Sequence, residues 1–249
     1  MSILDALFLG LLQGLSEFLP ISSSGHLFLV GRLNILSGEV SLLFAVMLHL
    51  GSLAAVIVVF WDKVKYAIVH PFSNLTKNIV LASIPTAILA GLAWYFLNDV
   101  LEGALLPLGF FLTTIFLIIT AFLHPKSNTL SPSNALLIGL AQGFAVLPGL
   151  SRSGSTIATA QMCGADRQDA GEFSFLISIP IIIGSALVEG RELTKSALST
   201  SLLPIIIGVV VSFVSGYFAL IALKGIIKQA KLHYFAPYTF VLGILTLFI

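Results

Sequence analysis

The sequence predicts an all-α integral membrane protein: six transmembrane helices and two re-entrant helical hairpins, set as two repeats of inverted topology. Three observations carry that expectation. Of 249 residues, 57% are hydrophobic and only 9% are charged, with a mean hydropathy of +1.07, whereas a soluble domain carries about a quarter charged residues. The apolar residues gather into runs of membrane-spanning length. The two halves of the chain repeat one set of short motifs.

A spanning helix needs roughly 20 mostly apolar residues. The stretches 40–61, 78–97, 105–124, 170–189, 201–223 and 234–249 meet or approach that length, the last being the shortest. None shows the alternation of a barrel strand, and lipid obliges a backbone to satisfy its own hydrogen bonds, so these are predicted helices. Two further apolar runs, 3–15 and 134–147, are shorter; at about 1.5 Å per residue they reach only about 20 Å. Each meets a break of Gly, Ser and Pro and resumes as a short helical piece, 25–34 or 154–164. The hairpins 3–34 and 134–164 are therefore expected to enter the membrane and return on the same side.

Gly10-Leu-Leu-Gln-Gly14 recurs as Gly139-Leu-Ala-Gln-Gly143, and Ser22-Ser-Ser-Gly25 recurs at the same spacing as Ser151-Arg-Ser-Gly154. At a slightly longer spacing, Glu39-Val-Ser-Leu-Leu resembles Glu172-Phe-Ser-Phe-Leu, and Gly51-Ser52 matches Gly184-Ser185. One membrane domain then divides into a first repeat, 1–124, and a second, 133–249, each a hairpin followed by three spans. Three crossings invert the second repeat relative to the first, which places a site of broken helices at the midplane between them.

Orientation follows from Lys and Arg in the loops. Lys63, Lys65, Lys77, Lys126, Arg167, Lys224, Lys228 and Lys231 fall on one side, and Arg32, Arg191 and Lys195 on the other. The richer side is expected in the cytoplasm, with both termini outside. Asp5 in the first turn and the lack of a small-residue cleavage site argue against a signal peptide. A net charge of +1 excludes a nucleic-acid binder, and the lone Cys163 reads as a packing residue.

The chemistry lies in the two breaks. In the first, Gln13 and Glu17 are four apart and share a helix face. A carboxylate at membrane depth costs several kcal/mol unless paired, hydrated or metal-bound, which makes function the default reading. A protonated Glu17, bonded to carbonyls freed at Pro20, is the structural alternative. Ser22, Ser23 and Ser24 fit either nucleophiles or caps of the helix beginning near Gly25. His26 fits a general acid/base or a satisfied polar contact. In the second break, Arg152 lies among Ser151, Ser153, Gly154, Ser155 and Thr156 without a neighbouring acid in sequence. Its planar guanidinium suits a bidentate phosphate contact, and a helix start beside it binds anions. An Arg152–Glu17 ion pair that locks the repeats is the alternative.

Blander readings cover the rest. Gly10/Gly14 and Gly139/Gly143 are close-packing pairs. Glu39 and Glu172 are expected at helix starts, where a carboxylate is favoured. His49, within a span, fits either a cavity-lining residue or, as the blander reading, a buried hydrogen bond; Asp166, Arg167 and Asp169 read as a solvated turn, and Lys224, Lys228 and Lys231 as a surface patch.

Gln-x-x-x-Glu at 13–17 and Phe-Leu-Pro-Ile-Ser-Ser-Ser-Gly-His at 18–26 resemble the signature of the undecaprenyl-diphosphate phosphatases of the BacA/UppP type. Pro-Gly-x-Ser-Arg-Ser-x-x-Thr at 148–156 resembles that family's second motif, and Glu-Phe-Ser-Phe at 172–175 is also similar. The likeness runs over essentially the whole chain. It implies removal of the terminal phosphate from undecaprenyl diphosphate, recycling of the lipid carrier for cell-wall synthesis, bacitracin resistance, and dependence on magnesium or calcium. It also implies Glu17, Ser23, His26, Ser151, Arg152 and Thr156 as site residues. Gln13 stands where many members carry glutamate.

The expected mechanism holds the β-phosphate on Arg152 and the hairpin N–H groups, with Gln13, Ser22, Ser24, Gly25, Ser151, Ser153, Gly154 and Thr156 completing the binding set. Ser23 activated by His26, or a water activated by them, attacks phosphorus. Glu17 anchors the divalent cation, with Gln13 as a neutral helper. The expected partners are the polyprenyl diphosphate and membrane lipid, with no nucleic acid; a homodimer is left open. The expected location is the bacterial plasma (inner) membrane, with the active site open to the outer side. Two rivals are a flippase or transporter of polyprenyl phosphate and a phosphatidic-acid-type phosphatase. The second is disfavoured because Ala158 stands where its second histidine belongs.

Overall fold

The chain, seen in a computed structural model, is described over residues 2–36, 40–96, 99–124, 130–190 and 202–249. Among these residues it is all helical: α1 (Ile3–Phe18), α2 (Ser23–Arg32), α3 (Leu42–Val59), α4 (Trp61–Val69), α5 (Asn74–Phe96), α6 (Asp99–Phe122), α7 (Pro132–Phe144), α8 (Arg152–Met162), α9 (Arg167–Gly190), α10 (Leu202–Lys228) and α11 (Ala236–Leu245). Helix starts follow local chemistry. Ser2 and Asp5 form a reciprocal capping box on α1, Ser41 caps α3, and Ser131 caps α7 ahead of Pro132 in its first turn, each satisfying amides that a helix start leaves open.

Five described helices, α3, α5, α6, α9 and α10, are long and apolar enough to cross a membrane, with mean hydropathies from 1.5 to 2.6. The expected sixth span, 234–249, is shorter: α11 is extended only by 3-10 turns at Leu232–Phe235 and Thr246–Phe248. Side chains such as Leu187, Phe218 and Phe248 are more than half exposed, as a lipid-facing surface requires. Glu39, Lys126, Arg191 and Lys195 lie outside the described residues. Glu172 lies in the second turn of α9 rather than at a helix start, where it pairs with Lys63 at 3.5 Å. Asp166 accepts from the Asp169 amide and so caps α9.

Small residues decide which helices touch. On α1, a Cβ added at Gly10 would sit 2.6 Å from the Gly208 carbonyl, and one at Gly14 2.7 Å from the Gly216 nitrogen. α1 therefore runs beside α10 in the same direction. Gly139 abuts Ala82 and Gly143 abuts Leu89, so α7 runs parallel to α5 in the same manner. Ser215 Oγ donates to the Gly10 carbonyl at 3.3 Å, and Thr86 Oγ1 donates to the Gly139 carbonyl at 2.8 Å. Ser215 stands as far after Thr86 in the chain as Gly139 stands after Gly10.

Packing this close makes a strong prediction. Gly14→Val should deplete the folded, monodisperse protein in detergent, because overpacking against backbone costs about 1–3 kcal/mol or more. Gly31→Val, with nothing within 4 Å of an added Cβ, is the control. Equal thermal unfolding midpoints for the two variants would refute this account of the α1–α10 seam.

Candidate functional site

The two breaks meet tip to tip. Helix α2 starts at Ser23, slightly earlier than expected, with Ser22 as its cap, and α8 starts at Arg152 with Ser151 as its cap. Ser22 Oγ accepts from Gly25 N and lies 3.3 Å from Ser24 Oγ. Ser151 Oγ likewise accepts from Gly154 N and lies 3.2 Å from Ser153 Oγ. A Cβ added at Gly25 would sit 3.0 Å from Gly149 Cα, and one at Gly154 3.4 Å from the Pro20 side chain. Gly149 has φ +85°, a conformation that glycine reaches without steric cost.

Glu17, from the last turn of α1, stands between these tips and is 8% exposed. Its Oε2 accepts from Gln13 Nε2 at 2.9 Å and from Ser23 Oγ at 2.7 Å. Its Oε1 accepts from Arg152 Nη2. The Arg152–Glu17 pair is thus formed, and it joins the two hairpins. It does not exhaust the arginine: Arg152 Nη1 is buried with no hydrogen-bond partner. Below Glu17, Phe18 meets the Phe175 ring edge-on at 5.9 Å, and Phe60 stacks on Phe175 at 5.6 Å, closing that end with apolar rings.

A cavity of about 320 Å³ adjoins the carboxylate. Ser22, Ser23, Ser24, Ser151, Arg152 and Glu17 line it from the two breaks, and His49, Ser185 and Glu189 from α3 and α9. The expected binding set is therefore only partly on its wall. Gln13 is fully buried behind Glu17. Ser153 and Thr156 are fully turned into protein; Thr156 Oγ1 donates to the Arg152 carbonyl at 2.7 Å and lies 2.5 Å from Ser174 Oγ. That contact gives the Glu-Phe-Ser-Phe segment a packing role against α8. The Gly25 and Gly154 amides are occupied by their caps.

Two histidines lie near the breaks in different settings. His26 is not brought to Ser23: its Nδ1 lies 2.7 Å from the Ser22 carbonyl and its Nε2 2.6 Å from Tyr238 Oη. Both ring nitrogens are engaged elsewhere and the Ser23 hydroxyl bonds Glu17, so the predicted Ser23–His26 pair is not formed. His49 lines the cavity, the less favoured of its two readings, with Nε2 3.7 Å from Glu17 Oε2 and a side chain 34% exposed. It sits in an ordinary apolar span, far along the chain from either break, so the sequence gives no reason to place it beside Glu17. Tyr238, in the last helix, carried no motif at all.

The family model for Bacitracin resistance protein BacA matches residues 6–245. An undecaprenyl-diphosphatase of Halothermothrix orenii is 41% identical over 98% of this chain and 97% of its own. One from Carboxydothermus hydrogenoformans is 36% identical over 98% and 96%, and one from Methanosphaera stadtmanae is 35% identical over 99% and 98%. With the two motifs converging on one buried carboxylate and a match over nearly the full length, the chain belongs to the BacA family.

Proposed function

We propose that this protein hydrolyses undecaprenyl diphosphate to undecaprenyl phosphate and inorganic phosphate, at the Glu17–Ser23–Arg152 cluster. The observation that carries the reading is the hydroxyl of Ser23, 2.7 Å from a buried carboxylate, on the wall of a cavity shared with Arg152. The buried Nη1 of Arg152, without a partner, is a charged donor waiting for an anion. Leaving a charged donor unsatisfied is costly, and a phosphate oxygen would satisfy it. Three equatorial oxygens gather charge in phosphoryl transfer, and fixed donors aimed at them supply most of the rate.

The steps follow from the geometry. Ser23 Oγ attacks the terminal phosphorus while Glu17 Oε2 takes its proton, and the bond to the lipid-borne phosphate breaks. The proton leaves with that phosphate. Glu17 then takes a proton from the water that cleaves the seryl phosphate and passes it to the departing Ser23 oxygen, which releases inorganic phosphate and restores both the serine and the carboxylate. Arg152 pairs with Glu17 through Nη2 and steadies the phosphoryl oxygens through Nη1.

A divalent cation, magnesium or calcium, belongs to the same proposal. The Oε1 atom of Gln13 is buried without a partner on the amide that bonds Glu17, and Glu17 with this neutral oxygen would hold the ion. Among the described residues no cluster of three or more Asp, Glu, His or Cys side chains forms a complete cage, which suits an ion that takes most of its ligands from substrate phosphates. When bound it neutralises charge on the diphosphate.

The inverted-repeat architecture is part of the reading. Two hydrogen bonds, Ser215 to Gly10 and Thr86 to Gly139, and two contacts, Gly25 to Gly149 and Gly154 to Pro20, come in pairs whose members are exchanged by the repeat spacing, as a pseudo-two-fold axis requires. With the Lys/Arg-rich loops in the cytoplasm, α1 and α7 enter from opposite sides and the cavity opens outward along the Ser185–Glu189 end of α9. Single cysteines at Asn34 and Phe72, both exposed, test this in a Cys163-free background. An impermeant thiol reagent on intact cells should label Asn34→Cys and spare Phe72→Cys. The opposite pattern would reverse the orientation.

A further inference from the structure

Ser22 has a left-handed backbone, φ 69°, which among the described non-glycine residues it shares with Asn34 and Ala230 outside the site. An L-residue there brings its Cβ against its own following carbonyl, so something must hold it. Capping alone does not. Its counterpart Ser151 caps α8 in the same way from an ordinary extended backbone, φ −72° and ψ 118°.

The holder is His26. A carbonyl oxygen can only accept, so Nδ1, 2.7 Å from the Ser22 carbonyl, carries the proton. In a neutral imidazole Nε2 is then the acceptor, and Tyr238 Oη at 2.6 Å donates to it. The Tyr238 ring also lies over the imidazole, with centroids 5.7 Å apart and planes 13° from parallel, and Phe110 meets it edge-on at 6.1 Å. The residue that matches His26 in the second repeat is Ser155, which turns its hydroxyl to the Arg152 carbonyl. At the cap position, the left-handed backbone and the imidazole four residues on therefore occur together in one hairpin, the one whose next residue, Ser23, bonds Glu17, and neither occurs at the matching positions of the other.

We infer that Tyr238 is a positioning residue: acting through His26, it fixes the Ser22 turn and so keeps the Ser23 hydroxyl on Glu17. His26, with both ring nitrogens engaged, is part of this brace and not the base. The inference rests on the reading of Ser23 as nucleophile.

Phosphate release by purified variants tests it. Tyr238→Phe keeps the stacked ring and deletes one hydrogen bond, so kcat should fall about tenfold with KM within about twofold, the size of one lost buried bond. Asparagine places an amide N–H near the imidazole Nδ1 and glutamine places one near Nε2. His26→Asn should therefore fall about as far as Tyr238→Phe and no further, since both lose the Nε2 bond and keep the hold on Ser22, and His26→Gln should fall with His26→Ala. Tyr238→Phe should add nothing in the His26→Asn background, since coupled residues are not additive. Unchanged kcat in Tyr238→Phe would overturn the inference. So would His26→Asn as inactive as His26→Ala, the pattern of a proton-transferring imidazole; that contrast stands even if Tyr238→Phe does not fold. Ser23→Ala in the same assay separates the two levels, because an active Ser23→Ala would remove the nucleophile reading whatever Tyr238 does.

Discussion

Replacing Arg152 by alanine is expected to lower phosphate release by about 10³-fold, because a fixed donor to a charged transition state in a water-poor site carries about 3–4 kcal/mol. The same change removes the partner of a buried carboxylate, and breaking such a pair costs about 3–5 kcal/mol of stability. Loss of activity in Arg152→Ala could then arise from loss of fold, so Arg152→Lys is the companion variant. It keeps the charge beside Glu17 but offers a single compact ammonium in place of two separately placed guanidinium nitrogens. Arg152→Lys should remain folded and still lose about 10- to 100-fold in kcat, because three donors on one nitrogen do not reproduce the spacing of Nη2 on Glu17 and Nη1 toward the phosphate. Alanine activity within about threefold of wild type would show that Arg152 only locks the hairpins together, since a lost phosphoryl contact cannot cost so little.

Glu17→Gln is the second large effect. The substitution keeps the shape but removes the acceptor of the Ser23 proton and the anion that Arg152 faces. General-base removal typically costs about 10²–10⁴-fold. If Glu17 also holds the cation, added magnesium or calcium should fail to restore the variant fully. Gln13→Glu is the informative converse. A second carboxylate beside Glu17 would bind a divalent ion more tightly and leave activity largely intact. If Gln13 instead serves the substrate phosphate, the new charge would repel the diphosphate and raise KM without changing the metal response. Metal and substrate titrated separately on both variants distinguish the two cases. A Glu17→Gln enzyme with wild-type metal response would make the carboxylate a base and a structural partner, and the cation site would fall.

The helical membrane fold and the meeting of the two breaks were legible because membrane burial leaves few explanations for a polar residue. Glu17, Arg152 and the serine clusters had to converge, and they do. The constant spacing between short motifs of the two halves likewise anticipated the paired contacts of the hairpin tips. Side-chain direction was less legible. Motif membership says that His26 matters, but only three-dimensional packing shows its ring passing to Tyr238, at the far end of the chain. Thr156 shares a motif with Arg152 yet lies a full turn deeper in α8, where helix geometry turns it toward Ser174. A histidine inside a span suggests a cavity-lining residue, but only the packing of α3 shows His49 beside Glu17. The sixth span reads as the shortest in the sequence, and the apolar helix found there, with its flanking 3-10 turns, runs Leu232–Phe248.

The central claim is that Ser23, deprotonated by Glu17, takes the terminal phosphoryl group. The most direct measurement uses undecaprenyl diphosphate labelled in its terminal phosphate and pure protein in detergent, where transport between two sides has no meaning, with acid quenching during turnover. The account predicts labelled inorganic phosphate from the wild type, a fraction of label bound to the chain at Ser23, and neither from Ser23→Ala. Labelled phosphate released by Ser23→Ala at the wild-type rate, or none released by the wild type, would contradict it.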